Sequence, residues 1–167
     1  NGNNATSGTM ADLSATYDKD VNLTTNSFSR TGYTFDKWNT KADGSGISYN
    51  NGASVKNLVS TNGGEITLYA QWTINSYTLT ADAGTGATID PIESWSVSGR
   101  IATKSLTYGS IFGTLPTATR AGYIFKGWAT TENATAANVN SSTVIIKDTT
   151  IYGVWQPGTI VRFNWND

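Results

Sequence analysis

Neither cysteine nor histidine occurs anywhere in the chain. These two absences remove thiol nucleophiles, disulfide staples, thiolate zinc sites and imidazole bases together. They do not fix a redox compartment, because disulfide-free exported and cytosolic proteins are both permitted. Charge is also scarce, at 14% of residues with a formal net charge of -1. The 11 Lys and Arg are scattered, so no field is strong enough to recruit nucleic acid or an anionic membrane. No stretch approaches the roughly eighteen apolar residues of a membrane helix. The opening N-G-N-N-A-T-S-G lacks the character of a signal peptide, so an export or anchoring signal is expected outside these residues.

What the chain does have is aromatic bulk, with 6 Trp, 8 Tyr and 5 Phe in 167 residues, and the aromatics recur in a pattern. Arg30 to Thr40 reads R-T-G-Y-T-F-D-K-W-N-T and returns at Arg120 to Thr130 as R-A-G-Y-I-F-K-G-W-A-T. Each copy is followed by a short apolar strand ending in Trp, T-L-Y-A-Q-W at Thr67 to Trp72 and T-I-Y-G-V-W at Thr150 to Trp155. Self-similarity at this spacing is a tandem array, which overrides the single domain that length alone would suggest. Each unit is small enough that large rings are needed to fill its interior.

The expected architecture is mainly β, α+β at most, in two modules. Residues 1–73 form the first, lacking an opening strand, and residues 74–156 the second. Residues 157–167 read as a further strand, either the start of a third repeat or a strand that pairs with a neighbouring molecule through 159–163. An unpaired strand position exposes backbone donors and acceptors, so something should cover it. Within the motif, Tyr33 and Phe35 share a face, whereas Trp38 lies an odd three residues beyond Phe35. This spacing predicts a bulge near Asp36 and Lys37, or a Trp packed on the second face. Lys41 to Gly52 has the glycine signals of a loop or loose hairpin. Ala53, Val55, Leu58 and Val59 fit one side of a short helix, and Glu65 to Trp72 reads as a closing strand. In the second module, Tyr77 to Ala81 alternates as an opening strand and Val97 to Tyr108 reads as the next.

The pattern G-Y-x-F-x-x-W-x-T, then a glycine-containing loop, then T-[LI]-Y-[AG]-x-W resembles the Listeria-Bacteroides repeat, or internalin B-repeat. Gly32, Tyr33, Phe35, Trp38, Tyr69 and Trp72 carry the likeness in the first copy. Gly122, Tyr123, Phe125, Trp128, Tyr152 and Trp155 carry it in the second. The resemblance implies β-grasp-like modules related to ubiquitin, with at most one short helix each, in large extracellular or cell-surface bacterial proteins.

The remaining constellations favour structure over chemistry. Asp18-x-Asp20-x-Asn22 looks like half of a calcium loop, but the sixth and twelfth positions are Leu23 and Ser29, where Gly and Glu are wanted. Asp43-Gly44-Ser45-Gly46 reads as a turn, because no lysine and helix follow as a phosphate loop requires. No two acidic residues recur at matched positions, so nothing supports the paired carboxylates of a glycosidase. Arg30 and Arg120 recur, and a salt bridge or carbonyl capping beside the Gly turn is expected of them. The repeated rings are assigned to the core. Trp95 and Trp165 have no repeat mate, so either, if exposed, is the first place for a binding patch. The functional expectation is a non-catalytic module with no cofactor and no metal. It would act as spacer or adhesion segment toward other proteins or cell-surface glycans, joined through the short connection Thr73 to Ser76. The alternative is a carbohydrate-binding module with an exposed aromatic strip.

Overall fold

The computed structural model describes residues 1–159. They divide into two compact units, with the division between Asn75 and Ser76. The described residues contain strands, turns and loops and no helix. The tail from residue 160 onward lies outside them, and with it Trp165 and most of the strand read at 159–163.

The first unit holds β1 (Val21–Asn22), β2 (Tyr33–Asn39), β3 (Ser48–Tyr49), β4 (Ser54–Val55) and β5 (Tyr69–Ile74). β2 lies between β3 and β5 in a three-stranded antiparallel sheet, and β1 pairs with β4 in a second small one. The helix expected over 53–59 is instead β4 followed by a loop. Asn57 explains the difference: its φ of 50° is left-handed, which a right-handed helix cannot accommodate. Leu23, Trp38, Val55 and Ala70 form the buried centre, with Phe28, Phe35, Leu58, Leu68 and Trp72 packed around them.

The second unit holds β6 (Ser76–Asp82), β7 (Ala87–Ile89), β8 (Ser96–Ser98), β9 (Ile101–Thr107), β10 (Ala118–Arg120), β11 (Tyr123–Ala129) and β12 (Thr149–Pro157). Five of them make one sheet in the order β11-β12-β6-β9-β8, while β10 pairs with β7. β6 follows the alternation of its sequence, burying Leu79 and Ala81 and leaving Thr78 exposed. The single strand read at 97–108 is in fact a hairpin, β8 turning through Gly99 and Arg100 into β9. Gly99 has a φ of 59°, the left-handed conformation that a two-residue hairpin loop calls for. Leu79, Ile89, Trp95, Phe112, Trp128, Ile145 and Ile151 dominate a larger core.

The bulge expected in the motif strand is present in both units. The pairing register shifts between Phe35 and Lys37 on β2 and between Phe125 and Gly127 on β11. One extra residue resets the two-residue alternation, so Phe and Trp three apart return to the same face. Their rings lie 5.1 Å apart in the first unit and 5.3 Å in the second.

The closing strands differ. β12 begins at Thr149 because Thr149 to Tyr152 pair in parallel with Leu79 to Asp82 of β6. In the first unit the sequence reading starts the strand at Glu65, but β5 starts at Tyr69. There, among the described residues, the neighbouring lane is held by the first residues of the chain. The Asn1 amine donates to Leu68 O at 2.8 Å and Ala70 N to Asn1 O at 2.9 Å. Two such bonds give a shorter lateral support than the four-residue parallel pairing of β12 with β6, and a ladder extends only as far as its neighbour does.

Candidate functional site

The repeated motif builds the same cluster in both units. Phe35 contacts Trp38 and Trp72, with Trp72 at 5.7 Å, and Phe125 contacts Trp128 and Trp155, with Trp155 at 5.1 Å. These distances lie in the range where aromatic pairs attract beyond their burial. Trp38 and Trp128 are only 3% and 2% exposed, while Trp72 and Trp155 are half-buried. Tyr69 and Tyr152 are half-buried on the closing strands.

Indole hydrogen bonds fix the cluster to the chain. Trp72 Nε1 donates to Gly2 O at 3.0 Å, and Trp155 Nε1 to Ala83 O at 2.8 Å. Trp128 Nε1 donates to Pro116 O at 2.8 Å, deep in the second core. Its counterpart Trp38 Nε1 is buried and has no acceptor among the described residues.

Among the described residues the recurring arginines make neither the salt bridge nor the carbonyl cap expected of them. Gly32 and Gly122, with φ of 78° and 76°, turn the chain so that each arginine folds back over the following tyrosine. The guanidinium carbon sits 3.8 Å from the Tyr33 ring centre for Arg30 and 4.0 Å from the Tyr123 ring centre for Arg120. A planar cation stacks on an aromatic face more favourably than it reaches a distant carboxylate in a chain with few acids.

Trp95 is not an exposed platform. It is 8% exposed and packs in the second core, its Nε1 donating to Thr114 O at 3.1 Å. Lys104 Nζ lies 5.8 Å from its ring centre and donates to Phe112 O at 3.2 Å. Asp18, the first residue of the apparent calcium half-loop, pairs with Lys56 at 2.9 Å. Among the described residues no group of three or more metal-ligating side chains converges. Asp43 closes its own turn, accepting from Ser45 N at 3.0 Å, and hydrogen bonds from the Ser45 backbone and hydroxyl hold its carboxyl below the ordinary value.

Asn39 is the polar residue that the sequence reading passed over. It is fully buried, its amide donating to Gly44 O, Gly46 O and Ser48 Oγ, its oxygen accepting from Lys41 N and Gly46 N. It pins the loop between β2 and β3. The sequence signal was a position where the copies diverge from polar to apolar, since Asn39 corresponds to Ala129, as Thr31 does to Ala121 and Thr34 to Ile124.

One open groove of about 650 Å³ lies in the second unit, lined by the β7 and β10 pair and by Tyr123 to Phe125 at the start of β11. Tyr123 and Ile124 are 41% and 51% exposed there. Arg120 is the charged residue in its lining. A shallow second concavity in the first unit is lined by residues 2–8 and Phe28.

This geometry defines a class: tandem small β units, each closed around the same Phe and two Trp. The chain belongs to the Listeria-Bacteroides repeat family, whose profile matches residues 1–71 and 94–154. It is 30% identical over 158 residues to a protein of Evansella cellulosilytica provisionally named a Gly-rich membrane protein, covering 93% of this chain and 16% of that one. It is 39% identical over 64 residues to Internalin H of Listeria monocytogenes, covering 38% of this chain and 9% of that one. The chain thus spans less than a fifth of either relative. No solved structure matches it.

Proposed function

We propose that the chain is a non-catalytic repeat segment of a bacterial cell-surface or secreted protein, acting as a spacer and adhesion module. The observation that carries this reading is the identical use of Phe, two Trp and a stacked Arg-Tyr pair in both units. The Phe and Trp rings, which would otherwise make a ligand platform, are engaged in packing, twice. The names of the two relatives support a location at the membrane or cell surface, and the lack of histidine and cysteine supports a role without catalysis. The β-grasp-like reading is supported in the second unit by its first and last strands, β6 and β12, which run parallel side by side within the sheet.

A carbohydrate-binding module would need rings presented together to sugar faces. The exposed large aromatics among the described residues are Tyr17 and Tyr123, which belong to different units. Two experiments bear on the proposal. Intact cells carrying the parent polypeptide should yield peptides of residues 1–159 on brief protease treatment. Replacing the segment by an unrelated spacer of equal length should preserve reach while weakening attachment. Retention of the segment inside intact cells would refute the surface reading.

A further inference from the structure

The groove in the second unit has chemistry that packing does not use. Its floor and walls come from Gly86, Thr88, Thr119, Arg120, Tyr123 and Ile124 among others, so it carries one cation and no carboxylate. The ion pairs of the described residues are Lys37 with Asp36, Lys56 with Asp18 and Arg100 with Asp82, and Arg120 takes part in none. Stacking on Tyr123 occupies the face of the guanidinium, not its rim. The in-plane N–H donors of a stacked arginine stay available to a planar acceptor such as a carboxylate.

The groove also borders a sheet edge. Among the described residues β11 is an outer strand of the five-stranded sheet, and Tyr123, Ile124 and Phe125 pair with β12 on one side only. On the other side, the pairing among the described residues is a single bridge further along, Trp128 with Val139. Open edges are where extended peptides add as strands. Beside this edge Ile124 offers an exposed aliphatic contact.

The first unit supplies an internal control. It repeats the Arg-Tyr stack, but Ile124 is replaced by Thr34, whose hydroxyl donates to Asn75 Oδ1 at 2.7 Å. The hydroxyls nearby are tied to one another, Ser7 to Ser29 at 2.6 Å and Thr6 to Thr31 at 3.3 Å. The stack recurs there without the apolar edge.

We propose that the edge of β11 with Arg120 is a docking site for an extended acidic segment of a partner protein. The segment lies along Tyr123 to Lys126 as an added strand, sets an Asp or Glu carboxylate on the Arg120 fork and rests an aliphatic residue on Ile124. Charge complementarity selects the partner, because the groove presents a lone cation where no acid answers it. This proposal rests on the adhesion part of the surface reading and names its contact.

The test titrates the isotope-labelled chain of 167 residues with a short peptide of the type Thr-Val-Glu-Val-Asp-Val-Thr and with its counterpart carrying Lys in place of the acids. The acidic peptide should shift the amides of Tyr123 to Lys126 and the Arg120 side chain, and the shifts should weaken with salt. Arg120→Ala should weaken binding at least about tenfold, the size expected for a charge-assisted bidentate contact. Arg30→Ala should leave it unchanged. Ile124→Glu should weaken it and Ile124→Lys should not, which covers the case in which Arg120→Ala perturbs folding. Equal binding of the lysine peptide, shifts confined to the first unit, or no binding by millimolar peptide would overturn the proposal. Titration of the same amides by polygalacturonate but not by peptide would overturn it in favour of an acidic glycan. In each of those outcomes the spacer reading stands, since protease accessibility on intact cells decides it separately.

Discussion

At the scale of single residues, the two copies of the motif form a natural comparison. Trp128 bonds to Pro116 O, while Trp38 occupies the matching place with its indole nitrogen unsatisfied. Replacing Trp128 by Phe strands a buried carbonyl, whereas replacing Trp38 by Phe removes an orphan donor. The two substitutions delete similar volume, so Trp128→Phe should cost about 1–3 kcal/mol more than Trp38→Phe. Unit-resolved hydrogen exchange checks this, and equal losses would contradict it. Asn39→Ala should destabilise the first unit by about 1–2 kcal/mol, because a buried side chain and several partly buried backbone groups of the loop lose their hydrogen bonds together. The loop amides of Lys41 and Gly46 should lose protection first. Asp43 should titrate below an unstructured aspartate, and Ser45→Gly, which removes the hydroxyl donor, should raise it toward the ordinary value. A carboxyl lowered on folding contributes stability that is present above its unfolded pKa and is lost as pH falls through the folded one.

At the scale of elements, the bulge is the clearest case of a feature legible in the chain. An odd spacing between Phe35 and Trp38 conflicts with strand alternation, and one inserted residue resolves it in both copies. The two bulges are not built alike. Gly127 holds a φ of 116° with Ala137 Cβ 3.0 Å from where a side chain would begin, whereas its counterpart Lys37 is not among the positive-φ residues. Gly127→Lys, which copies the first unit into the second, should therefore cost about 1–3 kcal/mol, checked by denaturant unfolding. Features set by lateral partners were less legible. Glu65 to Leu68 has the composition of a strand, yet β5 starts only at Tyr69, because strand formation depends on what lies alongside. The hairpin of β8 and β9 was hidden because Val97 and Ile101 flank a Gly-Arg pair that reads as an interruption of one strand. The helix over 53–59 failed on Asn57, whose backbone conformation no periodicity reports. The groove was out of reach of sequence, since it joins β7, β10 and β11 from separate stretches, and Arg120 gave no sign of choosing a ring over a carboxylate.

At the scale of the whole molecule, repetition of sequence has not produced equal interiors. Among the described residues thirteen buried apolar side chains form the second core and four the first. The first unit also carries the unsatisfied indole. Stability follows buried apolar area, so the first unit should open at lower denaturant than the second, giving two transitions. Exchange of the β2 and β5 amides ahead of those of β6 and β12 would show this, and a single cooperative loss would count against it.

The repeated Phe and Trp rings are interior structure in both units. The most direct measurement is the exchange rate of the indole N–H protons by nuclear magnetic resonance, with and without soluble polysaccharides. Slow exchange at Trp38 and Trp128, intermediate exchange at Trp72 and Trp155 and no response to the sugars is the predicted result. Exchange at the rate of a free peptide for Trp38 or Trp128, or sugar-dependent shifts at either, would contradict it.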